Sequence, residues 1–85
     1  MLTMTKPAKQ SAALYVLGKL SDRETEVFKR IAQGETVAHI GKVLGLTHSS
    51  VSTYRRRVLV KLRQHSNADL TMIAQRLGIV EVPEF

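Results

Sequence analysis

From Leu20 onward, apolar residues recur at intervals of three and four, and residues that start and stop helices break the recurrence. Val27, Phe28, Ile31 and Ala32 keep helical spacing. They follow Ser21-Asp22-Arg23-Glu24, which has the form of a capping box. In such a box the serine oxygen accepts from the backbone N–H three residues on, and the glutamate reaches back to the serine N–H. Gly34 supplies a left-handed stop, so a first helix is expected over about Asp22 to Gln33. Thr36 can cap a second, with Val37, Ile40, Val43 and Leu44 apolar and Gly45 ending it, over Val37 to Leu44. Thr47 can cap a third, over His48 to Arg63, with Val51, Val58, Leu59 and Leu62 as its buried stripe. Ser66-Asn67-Ala68-Asp69 opens a fourth that carries Leu70, Ile73, Ala74 and Leu77, and Gly78 stops it. No run alternates with the period of a strand, so the expected fold class is all-α with four helices.

Before Leu20 the pattern is weaker. Residues 1–12 are polar, basic and contain Pro7, and Ala13 to Leu17 is a short apolar stretch whose state the spacing leaves open. Residues 1–19 therefore read as a flexible tail or interdomain linker, 20–79 as the folded domain and 80–85 as a C-terminal tail. A chain of 85 residues buries a modest core and has room for a compact binding module rather than a lidded pocket.

Charge narrows the partner. Thirteen Lys and Arg against seven Asp and Glu give a net charge of +6, which points to a polyanion, either nucleic acid or an acidic membrane surface. There is no cysteine, so neither a disulfide framework nor a thiolate zinc site is available. No apolar run approaches the roughly 20 residues of a membrane span, and none behind Met1 to Gln10 is long enough for a signal peptide. No membrane association is expected, and a cytoplasmic location is the default expectation. His39, His48 and His65 lack metal-ligand spacing and read as surface or capping residues, so no metal or cofactor is expected. Ser49, Ser50 and Ser52 have no base beside them, Glu24 belongs to the capping box, and no glycine-rich phosphate loop occurs. The chain is not expected to be an enzyme. Tyr54 is expected at the edge of the third helix with its hydroxyl outward, and Met72 in packing.

The second and third helices meet through Gly45-Leu46-Thr47, a short glycine-containing turn with an apolar residue to pin the corner, as in a helix-turn-helix. Gly41 is expected to let the third helix approach the second closely. Around its buried stripe, the third helix carries Ser49, Ser50, Ser52, Thr53, Arg55, Arg56, Arg57, Lys61 and Arg63, and no acidic residue occurs between Thr47 and Asn67. A solvated helix face ordinarily mixes charge signs. Cations without anions make sense where phosphates supply the missing charge, with small hydroxyls letting the backbone approach a groove and arginines reaching base edges or phosphates. A merely solvated basic face is the competing reading.

Leu20-Ser21-x-Arg23-Glu24-x-Glu26-Val27, Ile31-Ala32-x-Gly34, Ile40-x-x-x-Leu44-Gly45, Val51-Ser52-Thr53-Tyr54 and Lys61-Leu62 occur in that order. Together they resemble the LuxR-type (GerE, FixJ/NarL-like) helix-turn-helix DNA-binding domain, over about Leu20 to Leu77. The third helix is most similar to those of BvgA-like response regulators. The resemblance implies a transcription regulator that binds double-stranded DNA as a homodimer, contacts RNA polymerase, and is usually controlled by an upstream receiver or ligand-sensing domain. Position by position, it places Ser52, Thr53 and Arg56 on bases in the major groove. It places Thr47, Ser50, Arg57 and Lys61 near the DNA backbone, and Leu70, Ile73 and Ala74 of the fourth helix near a dimer interface. The sequence departs from the family pattern at Gly41, where alanine is usual, at Tyr54, where histidine is commoner, and at Arg63-Gln64, where glycine and an apolar residue are common. No receiver domain is present in these 85 residues, which fits either a fragment or a stand-alone small regulator. Two further readings stand beside this one: an interaction module that sequesters a full-length regulator through its fourth helix, and a sigma region-4-like domain. The Leu20 to Val27 signature favours the LuxR type over the latter.

Overall fold

The computed structural model describes residues 8–81, with side chains from Ser11 onward. Among these residues the chain is entirely helical: α1 (Ala8–Gly18), α2 (Asp22–Ala32), α3 (Val37–Leu44), α4 (His48–Leu62) and α5 (Asn67–Arg76). The expected tail segments at 1–7 and 82–85 lie outside the described residues.

Four helices were expected and the described residues hold five, because α1 occupies what reads in sequence as tail or linker. Its alanines, leucines, lysine and glutamine are good helix formers. Val16 and Leu17 pack against the core, while Leu14 and Tyr15 face outward. The helix closes with Lys19 and Leu20 N–H groups donating to the Val16 and Leu17 carbonyls, both at 3.1 Å.

The other four helices start where their caps direct. Glu24 N–H donates to Ser21 Oγ at 3.2 Å, and Ser21 N–H donates to Glu24 Oε1 at 2.9 Å, which completes the capping box of α2. Thr36, Thr47 and Ser66 each accept the N–H three residues on, from His39, Ser50 and Asp69. Each cap satisfies a backbone donor that the first helical turn leaves free, a contribution of about 1 kcal/mol. Gly34, Gly45 and Gly78 lie in the left-handed region at φ 90, 70 and 71.

Helix α2 is the centre of the fold, packed on α4 and α5, while α3 packs on α4. The fully buried side chains are Phe28 and Val27 from α2, Ile40 from α3, Val51 and Val58 from α4, and Leu70 and Ala74 from α5. Val80, expected to begin the C-terminal tail, is instead part of this core. The chain after Gly78 folds back, and the Ile79 N–H donates to the Ala74 carbonyl at 2.8 Å, which carries Val80 inward.

The α3–α4 turn is tight. Leu46 N–H donates to the Gly41 carbonyl at 2.8 Å, and Leu46 packs against the core. A Cβ on Gly41 would sit 2.7 Å from the Leu46 carbonyl oxygen and 3.6 Å from Val51 Cγ2. Gly41 therefore serves the turn backbone first and the approach of α4 second. The third expected helix ran to Arg63, whereas α4 ends at Leu62 and Arg63 takes up the left-handed conformation at φ 56, ψ 47.

Candidate nucleic-acid interface

Helix α4 is held at both ends. At its start, Thr47 Oγ1 accepts from Ser50 N–H and its hydroxyl donates to Ser50 Oγ, both at 3.0 Å. Near its end, Lys61 Nζ lies 2.7 Å from Glu24 Oε1. Glu24 is 3% exposed, and its carboxylate also accepts the Ser21 N–H. Burial pushes this carboxyl up, but the hydrogen bonds from Lys61 and Ser21 and the Lys61 charge outweigh burial and hold it below its ordinary value. One residue thus caps α2 and clamps α4 to it.

The face of α4 opposite the core presents Ser49, Ser52, Thr53 and Arg56, with Ser49, Thr53, Arg56 and Arg57 exposed and Ser52 half-buried. Shallow hollows run along it, one lined by Ser49, Ser52, Thr53 and Arg56, its neighbour by Ser49, Ser50, Thr53, Tyr54 and Arg57. Thr53 Oγ1 donates to the Ser49 carbonyl at 3.0 Å, which fixes its rotamer. The Arg57 guanidinium lies over the Tyr54 ring, 5.7 Å from its centroid, within cation–π range. Tyr54 itself is half-buried against the core. The first turn of α4 has no acidic residue to offset its positive dipole end.

Of the residues expected to read and hold DNA, Thr47 caps α4, and Ser50, Ser52, Thr53, Arg56, Arg57 and Lys61 lie on it, but the Lys61 ammonium is taken by Glu24. No local pattern announces that pair, whose members are 37 positions apart. A second link was also missed: Arg55 Nε donates to Asn67 Oδ1 at 2.6 Å and ties α4 to the first residue of α5. Of the five cations on α4 and its cap, Lys61 and Arg55 are thus committed within the protein. Arg56, Arg57 and Arg63 make no ion pair among the described residues.

The residues expected at a dimer interface are placed differently from one another. Leu70 and Ala74 are completely buried in the protein's own core and cannot touch a second copy, while Ile73 is partly buried against that core. The outward face of α5 is Ala68, Met72 and Arg76. Met72, expected in packing, is 52% exposed, with Arg76 Nη2 3.4 Å from its sulfur. His39, His48 and His65 all lie on the surface. No helix among the described residues is long and apolar enough to cross a membrane.

Helices α3 and α4, their glycine turn and the polar outer face of α4 define a helix-turn-helix domain. Residues 18–80 match the family described as bacterial regulatory proteins, luxR family (GerE), and the chain belongs to that family. A Pseudomonas aeruginosa protein is 43% identical over 65 residues, which are 76% of this chain and 31% of that protein. The uncharacterized response regulatory protein YgeK of Escherichia coli K12 is 34% identical over 64 residues, 75% of this chain and 44% of that protein. The response regulator UvrY of the same strain is 32% identical over 78 residues, 92% of this chain and 34% of that protein. The chain thus spans less than half the length of these curated relatives. No solved structure matches it significantly.

Proposed function

We propose that the chain is the sequence-specific DNA-binding domain of a transcription regulator, with α4 in the major groove. The observation that carries this reading is the outer face of α4, where hydroxyls and free arginines stand without a single carboxylate on a helix clamped at both ends. In this reading Ser52, Thr53 and Arg56 meet base edges. Thr47 and Ser50, at the positive end of the helix, and Arg57, two turns further on, flank the sugar-phosphate backbone. Lys61 holds α4 in place rather than meeting a phosphate. Two copies bind through the outward face of α5, at Ala68 and Met72, so that two α4 helices enter half-sites about one turn of DNA apart. Relatives named as response regulators support a role in transcription control.

The test is an anisotropy titration of the chain on duplex DNA at rising salt, with sites drawn from a randomised pool. Affinity should fall with a log–log slope of about −0.9 per phosphate neutralised. Arg56→Ala should cost roughly 1–3 kcal/mol on the selected site and relax the preference at one base position. Binding indifferent to salt, or an Arg56→Ala variant with unchanged base preference, would remove the support for this assignment.

A further inference from the structure

Val60 stands on the outer side of α4. It is 70% exposed, more than any other large apolar side chain among the described residues. It does not extend an apolar patch. Its neighbours one turn back along the helix are Arg56 and Arg57, and the chain that follows the helix end continues with Arg63 and Gln64.

Its position on the helix is informative. At about 100° per residue, Val60 lies within roughly 20° of Ser49 and Thr53 and about 40° of Arg56, and nearly opposite the buried Val58. It therefore continues the ridge Ser49–Thr53–Arg56, in the centre of the face that carries the groove-facing groups. The rise from Arg56 is about 6 Å, or one to two base pairs at about 3.4 Å each. A valine can neither bond a phosphate nor exchange hydrogen bonds with a base edge. Among the groups that B-DNA displays in its major groove, only the C5-methyl of thymine is apolar.

We propose that Val60 is a specificity-determining residue that packs on a thymine methyl group, one to two base pairs beyond the position read by Arg56. This rests on the groove assignment of α4 made above. Burying its methyl groups there selects T over C at one position without any hydrogen bond.

The test uses the whole 85-residue chain and a pool of random duplexes. Wild type should enrich a site with a conserved T next to the position that Arg56→Ala relaxes. On that duplex, replacing the thymine by deoxyuridine removes only the methyl group. It should weaken wild-type binding about fourfold, the equivalent of ~0.8 kcal/mol for one buried methyl group. Val60→Ala, at an exposed position with thermal unfolding as the check on folding, should bind the thymine duplex more weakly. It should respond little to deoxyuridine, and should relax the preference at that position alone. Val60→Ser should behave like Val60→Ala. Identical enriched sites for wild type and Val60→Ala, or an equal deoxyuridine penalty in both, overturns the proposal while leaving the groove assignment intact. So does a Val60→Ala chain that loses self-association in sedimentation but keeps its base preference, since Val60 would then be a protein contact. A wild-type chain that enriches no site fails the groove assignment itself, and this inference with it.

Discussion

Replacing Lys61 with methionine separates a clamp from a DNA contact. The wild-type ammonium sits 2.7 Å from the oxygen of a carboxylate that is 3% exposed, and the Ser21 N–H is the other donor to that oxygen. A hydrogen bond to a charged group contributes about 1.5–3 kcal/mol, and stripping one partner from a fully buried pair costs about 3–5 kcal/mol. The Lys61 side chain is 42% exposed, so water reaches the vacated place and the lower bracket applies. Lys61→Met should therefore destabilise the fold by about 2 kcal/mol at pH 7, or roughly 8–16 °C in Tm for a domain of this size. The pH dependence identifies the cause. Glu24 is held below its ordinary value of 4.5, so its stabilising contribution is complete at neutral pH and is lost as pH falls below 4.5 through the folded value. In Lys61→Met only the Ser21 hydrogen bonds still oppose burial, and the carboxyl moves up relative to wild type. Protonation then relieves the variant, and the gap between the two proteins narrows in acid. Urea unfolding followed by circular dichroism at pH 7 and at pH values below 4.5 measures both effects. A gap of the same size at each pH, or a Glu24→Gln, Lys61→Met double variant whose losses simply add, would refute the clamp. The salt slope of DNA binding supplies a second readout, since Lys61→Met should leave it unchanged, whereas Arg57→Gln should reduce it by about 0.9.

Two further outcomes follow from local geometry. Arg63 holds φ 56, and a left-handed conformation costs an L-residue about 1–2 kcal/mol. Against the greater freedom of unfolded glycine, Arg63→Gly should still stabilise by about 0.5 kcal/mol in urea unfolding. Met72→Glu places a charge on the outward face of α5 without touching the core, so the Tm should stay within a few degrees while any self-association on DNA, read by sedimentation, is lost.

Helices α2 to α5 could be read from sequence because their boundaries are set by local chemistry. Ser21, Thr36, Thr47 and Ser66 cap the backbone three residues on, and Gly34, Gly45 and Gly78 supply conformations that other residues resist. Helix α1 escaped because its residues lack amphipathic order and no cap or stop is distinctive there. Its helicity follows from intrinsic propensity and from Val16 and Leu17 finding the core. The fate of Val80 was hidden for a similar reason, since its burial depends on the chain reversing at Gly78 onto α5. The dimer assignment shows the opposite difficulty. Leu70, Ile73 and Ala74 are the apolar stripe of α5, and spacing alone does not say whether such a stripe meets its own core or another subunit. Here α2 covers Leu70 and Ala74.

The same distinction governs the charge on α4. In the sequence, Arg55, Arg56, Arg57, Lys61 and Arg63 are five equivalent cations, and together they point to a polyanion. In the fold, Lys61 is bound to Glu24 on α2 and Arg55 to Asn67 on α5. Both links run from the flanks of α4 to its neighbours, so they fix the rotation of the helix and the direction its outer face looks. Charge drawn inward does the positioning, and Arg56 and Arg57, which make no ion pair among the described residues, are the cations that the proposed reading leaves for DNA. A helix oriented only by its buried valines would hold its outer face less firmly, because small apolar contacts tolerate rotation that directed hydrogen bonds do not. The basic excess that first pointed to nucleic acid thus overstates how many cations are free to meet it. Part of that excess is the device that aims the rest.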